Sequence, residues 1–197
     1  WSLKKGHLCP AVPDRFDYLL HARDLLPKIE GRRVRMLDVG AGASLIYPLL
    51  ATAAFNWECV GSEVDKEAIS YAKGLVRMNA NMMGTRIRRQ EFKSQLLQGI
   101  IERKETFDLL VCNPPFYKTK SEALAANTLK NKNLHGKEEA NHNFGGSANE
   151  LWYKGGEEAF LKKLALESAE YGQQIQWFTC LVSKKDHLRT FKRFIRK

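Results

Sequence analysis

Apolar runs of strand length alternate along this chain with segments of helical period, and that alternation constrains the fold more than any other feature. Residues 33–40, RVRMLDVG, read as a strand ending on glycine, and residues 43–55, ASLIYPLLATAAF, as the helix that follows. WECVGSE (57–63) is a second strand. The next helix spans 65–83, with Asp65 as N-cap and Ala68, Ile69, Ala72, Leu75 and Val76 as its apolar stripe. The series continues with an edge strand at 85–90, a helix at 94–104 and a central strand at 107–113. A helix at 156–171, a strand at 174–183 and a basic helical tail from Lys184 complete it. Such alternation implies an α/β fold with a parallel sheet and helices on both faces.

A chain of 197 residues with 44% hydrophobic content builds one sizeable core, so a single domain over 1–197 is expected. Within it, residues 1–33 form an N-terminal helical entry, with Phe16, Leu19 and Leu20 at helical spacing. Residues 117–153 are polar and rich in Lys and Asn, and a stretch of that length without apolar anchors reads as a substrate loop, opening with a short helix near Ser121–Leu129. The sequence has no apolar run of membrane-spanning length and no secretory leader pattern, so the chain reads as soluble and cytoplasmic. Cys9, Cys59, Cys112 and Cys180 lie far apart, without CxxC pairs, and read as buried reduced thiols; no metal is expected. His7, His21, His135, His142 and His187 are equally scattered and read as surface or packing residues. A formal net charge of +10 and a pI near 9.5 favour a polyanionic partner such as nucleic acid.

The turn LDVGAGAS, Leu37–Ser44, joins the first strand to the first helix through glycines, which let a ligand approach the backbone. A dinucleotide fingerprint wants GxGxxG, but Leu45 stands at the third glycine position, which argues against an NAD site. Asp38 and Glu63 end successive strands, at the carboxyl edge where open α/β sheets bind ligands. Glu63 can accept two hydrogen bonds from ribose hydroxyls, Asp38 can receive an ammonium, and Gly40 and Gly42 leave room for it. These roles suit S-adenosylmethionine better than a phosphate ligand.

The stretch CNPPF, Cys112–Phe116, ends the central strand with two prolines in succession. Neither has an N–H, so Asn113 and the Pro114 carbonyl can project as a pair of acceptors for an NH2 group. A ring-conjugated amine is a weak nucleophile, and two acceptors on its hydrogens stabilise the charge that develops as nitrogen attacks a sulfonium methyl. A carboxamide is too weak a base to deprotonate the amine first, so attack precedes proton loss, and alignment and electrostatics carry the catalysis. Phe116 is placed to stack on the target base. A glutamine carboxamide offers the same two hydrogens, so a protein glutamine N5-methyltransferase is the alternative enzyme, and a non-catalytic RNA-binding protein on the same fold is a further one.

Together LCPAVPDRFDYL, LDVGAGASLIYPLL, LVCNPPF, NFGGSANELWYKGGEEAF and WFTCLVSKK resemble the bacterial ribosomal large-subunit RNA adenine-N6 methyltransferase F family, and more distantly the human methyltransferase-like 16 group. The resemblance implies a class I, Rossmann-like, S-adenosylmethionine-dependent methyltransferase acting on one adenine N6 of 23S ribosomal RNA. It implies that Arg15 contacts the cofactor carboxylate and that Gly40, Ser44 and Glu63 contact the cofactor. Asn113, Pro114, Pro115 and Phe116 match the catalytic tetrapeptide, and Asn143, Phe144, Gly145 and Gly146 match a segment near the target base. Trp152 and Trp177 read as packing residues. The resemblance also implies a longer protein, with an additional N-terminal region and two further strands beyond Lys197, so that residues 1–197 alone are expected to bind cofactor but to methylate RNA poorly.

Overall fold

The computed structural model describes residues 11–92, 94–125 and 151–195. Helix α1 (Val12–Arg23) leads into β1 (Arg35–Val39), α2 (Ile46–Phe55), β2 (Glu58–Glu63), α3 (Lys66–Met78), a 3-10 turn (Ala80–Met82) and β3 (Arg86–Arg89). Strand β4 (Phe107–Cys112), helix α4 (Gly156–Tyr171), strand β5 (Ile175–Phe178) and helix α5 (Lys185–Ile195) follow. The strands make one sheet in the order β3-β2-β1-β4-β5, with every neighbouring pair parallel. The chain steps outward from β1 to β3 and then crosses back to β4, which leaves a crevice beyond the carboxyl ends of β1 and β4.

Alternate residues of each strand face opposite layers. Met36, Cys59, Leu109 and Val111 pack against Leu19 and Ala22 of α1 and Ile46, Tyr47 and Ala51 of α2. Leu37, Val39, Val60, Leu110 and Cys112 pack on the other face, against Phe160 and Leu164 of α4. Helix α3 lies beside α2, joined through Leu45, Ala72 and Met82. Asp65 caps α3, accepting the N–H groups of Glu67 and Ala68 at 2.8 and 2.9 Å.

Four elements differ from the sequence expectation. The helix expected over 65–83 ends at Met78, since Asn79 is extended with a φ of −123°, and gives way to the 3-10 turn. Residues 94–104 form turns, because Gly99 has a φ of +80°, outside the right-handed helical region. Leu96, Leu97 and Ile100 still reach the core, and the segment is held from α4: the buried Glu167 carboxylate accepts the N–H of Leu96 at 3.0 Å and of Leu97 at 2.6 Å. Helix α2 begins at Ile46, since Leu45 has a φ of 49°. Strand β5 ends at Phe178, well short of Ser183, although Thr179 and Leu181 still donate to the carbonyls of Leu110 and Cys112 at 2.9 and 3.0 Å. Residues 120–125 are helical; the rest of the expected substrate-loop helix lies outside the described residues. No helix among the described residues is long and apolar enough to cross a membrane.

Several of the basic residues that make up the net charge serve the fold. Arg32 grips Asp108 with two bonds of 2.7 and 2.6 Å, and the Arg35 N–H donates to the same carboxylate at 2.8 Å. Arg35 and Arg88 both pair with Glu105. Burial alone would push Asp108 and Glu105 up, but these arginines and the backbone donors outweigh it and hold both carboxyls below their ordinary values. A depressed native pKa contributes stability above the unfolded value, lost as pH falls through the native one. Thermal melts across pH should therefore show a stability loss beginning near about pH 4. Asp108→Asn should be clearly less stable than the parent at neutral pH, with the difference shrinking in acid; a difference independent of pH would contradict this assignment.

Candidate active site

The tips of β1, β2 and β4 meet at a cavity of about 410 Å³. That lies within the range of about 300–1,000 Å³ usual for small-molecule sites. Its described lining includes Arg15 of α1, Gly40, Gly42 and Ser44 of the β1–α2 turn, Glu63 of β2, and Asn113 and Pro115 beyond β4. Gly40 has a φ of +75°, and a Cβ built on it would meet nothing within 4 Å, so the backbone bends there against open space. The N–H groups of Gly40 and Ala41 both donate to the Ser62 carbonyl, at 3.0 and 2.9 Å, which laces the turn onto β2. Gly61 allows that closeness: a Cβ there would lie 2.9 Å from the Cβ of Ala41.

Backbone donors orient the Glu63 carboxylate. Its Oε2 accepts the Gly42 N–H at 3.0 Å, and its Oε1 accepts those of Val64 and Asp65 at 2.7 and 3.0 Å. The neighbouring acid is treated differently. Both oxygens of Asp38, the Tyr47 hydroxyl and the Asn113 Oδ1 are buried without a hydrogen-bond partner among the described residues. Buried polar atoms are nearly always satisfied, so the orphans on Tyr47 and Asn113, which line the cavity, mark where a ligand's polar groups belong, with Asp38 behind them at the tip of β1; Thr85 Oγ1 is a further orphan away from the cavity. Burial, and then the charge of Glu63, push the Asp38 carboxyl well up. Burial also pushes the Tyr47 phenol up, while Arg15 acts in the opposite direction. Asp38 and Tyr47 therefore offer acceptors that ionise reluctantly until a donor arrives.

Of the residues singled out in the sequence, the structure brings Arg15, Gly40, Gly42, Ser44, Glu63, Asn113 and Pro115 to one cavity. Asp38 lies 1% exposed behind the turn; Pro114 is buried, and Phe116, half-buried, does not line the cavity. Asn143, Phe144, Gly145 and Gly146 lie outside the described residues. Tyr47, Gln90, Gln95, Trp152, Tyr153 and Phe160 also line the cavity and were not singled out as site residues. Trp152 reads from the sequence as a packing residue. It is brought in by a bridge between its backbone and that of Tyr117, a pairing 35 residues apart in the chain that local pattern does not encode. His187, read as a surface or packing residue, is hydrogen-bonded to the buried Glu157, which also accepts the Ser183 N–H at 2.7 Å. Cys59 and Cys112 are buried and Cys180 is half-buried, and all three are free thiols.

A family model described as RNA methyltransferase matches residues 1–197. The chain belongs to this family. It is 41% identical over 193 residues to the ribosomal RNA large subunit methyltransferase F of Enterobacter sp. (strain 638), covering 95% of this chain and 63% of that one. The protein of the same name from Colwellia psychrerythraea (strain 34H / ATCC BAA-681) is 40% identical over 213 residues, covering 100% and 70%. The chain thus spans 63 to 70% of the length of these relatives. Among solved structures, the human Mettl16 catalytic domain in complex with MAT2A 3′UTR hairpin 1 superposes with a TM-score of 0.78 at 30% identity, covering 97% of this chain and 63% of that one. The N-terminal domain of human METTL16 in complex with SAH gives 0.72 at 26% identity, covering 96% and 62%. The five-stranded α/β sheet is accordingly that of an S-adenosylmethionine-dependent methyltransferase.

A raised native pKa implies stability that is complete below the unfolded value and declines as pH rises toward the native one. Asp38→Asn removes that decline. Its stability relative to the parent should rise with pH from about pH 4 upward, as read from melting temperatures of the ligand-free protein; parallel curves would show that Asp38 is not held neutral by burial.

Proposed function

We propose that the protein transfers a methyl group from S-adenosylmethionine to the exocyclic N6 of an adenine in 23S ribosomal RNA. The observation that carries this reading is Asn113 Oδ1, buried and unpartnered at the edge of a cavity whose other tips present Glu63 and the glycine turn. The curated relatives are named as ribosomal RNA methyltransferases, and one structural neighbour holds an RNA hairpin, which favours RNA over a protein glutamine as methyl acceptor. The net charge of +10 agrees with a polyanionic substrate.

The residues fit the cofactor. Glu63, already aimed by three backbone N–H groups, takes the ribose hydroxyls; Asp38 takes the ammonium; Arg15 takes the carboxylate; and the turn at Gly40 and Gly42 leaves the space. When bound, S-adenosylmethionine supplies an electrophilic methyl group on a positively charged sulfur, and the sulfur is the leaving group, released as a neutral thioether. Asn113 Oδ1, with the Pro114 carbonyl, accepts the two hydrogens of the target amine and stabilises the positive charge that grows on nitrogen. The prolines at 114 and 115 contribute no N–H to compete for these acceptors. The methylated nitrogen then loses its proton to water. An adenine inside a duplex cannot reach such a pocket, so the substrate base is unpaired or extruded.

Full-length protein incubated with methyl-labelled cofactor and deproteinised 23S ribosomal RNA should yield labelled N6-methyladenosine after digestion to nucleosides. Label that appears only in added release factor, or none in adenosine, would overturn the proposal. Asn113→Ala should lower the methyl-transfer rate at least about a hundredfold and leave S-adenosylhomocysteine affinity within a few-fold of the parent by calorimetry. Glu63→Gln should do the converse, weakening that affinity by roughly tenfold to a hundredfold. Equal effects of the two variants on affinity would refute the division of labour.

A further inference from the structure

Strand β4 does not end by simple fraying. The register Leu110↔Phe178 advanced by two residues sets Cys112 opposite Cys180, and in an unbroken parallel ladder the Cys112 N–H would go to the Thr179 carbonyl. It goes instead to the hydroxyl of Tyr18 on α1, at 3.3 Å. The Tyr18 hydroxyl lies 2.7 Å from Thr179 Oγ1, which donates to the Leu110 carbonyl at 2.8 Å. Because the threonine proton is committed to Leu110, the phenol donates to the threonine, and one directed relay runs from the Cys112 N–H through Tyr18 and Thr179 back to Leu110. The Tyr18 ring packs edge-on against Tyr47, which lines the cavity, with centroids 5.4 Å apart. The same helix carries Arg15 to the cavity one turn earlier.

We propose that Tyr18 is a positioning residue for methyl transfer: its hydroxyl takes the place of one β4–β5 rung at the Cys112 N–H, between the bonds that Thr179 and Leu181 donate to Leu110 and Cys112, and so fixes the point from which Asn113 projects. Without it, the last strand N–H before Asn113 has no partner, and the residue that follows gains freedom in the direction in which its acceptor must aim. This inference rests on the role proposed for Asn113.

The test uses Tyr18→Phe, which keeps the ring and removes the relay, in the full-length protein. Single-turnover methyl transfer at saturating cofactor and RNA should slow roughly tenfold, with S-adenosylhomocysteine affinity within twofold of the parent. Thr179→Val should slow it to a similar degree, and the double variant no further than either alone, as expected for one relay. Hydrogen exchange in the peptide spanning 110–117 should accelerate in Tyr18→Phe while β1 and α2 keep their protection, a readout independent of activity. An unchanged rate with unchanged exchange, additive losses in the double variant, or a loss of cofactor affinity matching the loss of rate would each overturn the proposal. Asn113→Ala, run alongside, separates the two claims. If it retains full turnover, the amine-gripping reading has failed; if it collapses while Tyr18→Phe is untouched, only the positioning role has.

Discussion

The site depends on how the β1–α2 turn is laced to the tip of β2. Two successive N–H groups, of Gly40 and Ala41, converge on one carbonyl, that of Ser62, and a third, of Gly42, holds the Glu63 carboxylate. These bonds need the turn to lie almost on the neighbouring strand, and the bare Cα of Gly61 permits it. Loosen that lacing and the cavity loses both its floor and the acid that faces it. The left-handed Leu45 follows from the same arrangement. It stands where dinucleotide-binding turns place a glycine, and its side chain is wholly buried between α2 and α3, so the burial of leucine offsets a backbone strain of about 1–2 kcal/mol.

Stability and function are separated along the strands. The carboxyl ends hold unsatisfied polar atoms on Asp38, Tyr47 and Asn113, each of which costs the ligand-free fold about 1–3 kcal/mol. Arg32, Arg33 and Arg35, at or before the amino end of β1, are matched instead with Asp108, Glu58 and Glu105 in short ion pairs that bind β1 to its neighbours. Helix α4 works for both regions. Its Glu167 secures the segment 94–101, whereas its first turn carries Glu157, which holds Ser183 and His187, and Phe160, which lines the cavity.

Periodicity and end signals along the chain identified the strand–helix alternation, the glycine turn, the Asp65 cap and the proline-terminated strand. Each is a local device whose cause lies within a few residues. The helix expected at 94–104 fails for an equally local reason with a non-local complement: Gly99 takes a left-handed φ, and the orphaned N–H groups of Leu96 and Leu97 find Glu167, some seventy residues away. The pairing of Arg32 with Asp108, and of Arg35 and Arg88 with Glu105, could not be read from the sequence, because opposite charges distant in sequence are invisible to a count of lysines and arginines.

By itself the sequence determined a parallel α/β sheet, the strand tips at Asp38, Glu63 and Asn113, and the chemistry those side chains can offer, because backbone preference and side-chain type are properties of short segments. Only the tertiary structure decided which of those groups face one cavity, which acids and bases neutralise one another, and that Trp152 and Tyr18 come to the same end of the sheet. Those outcomes turn on strand order and register, and a register is a relation between distant segments that no single segment carries.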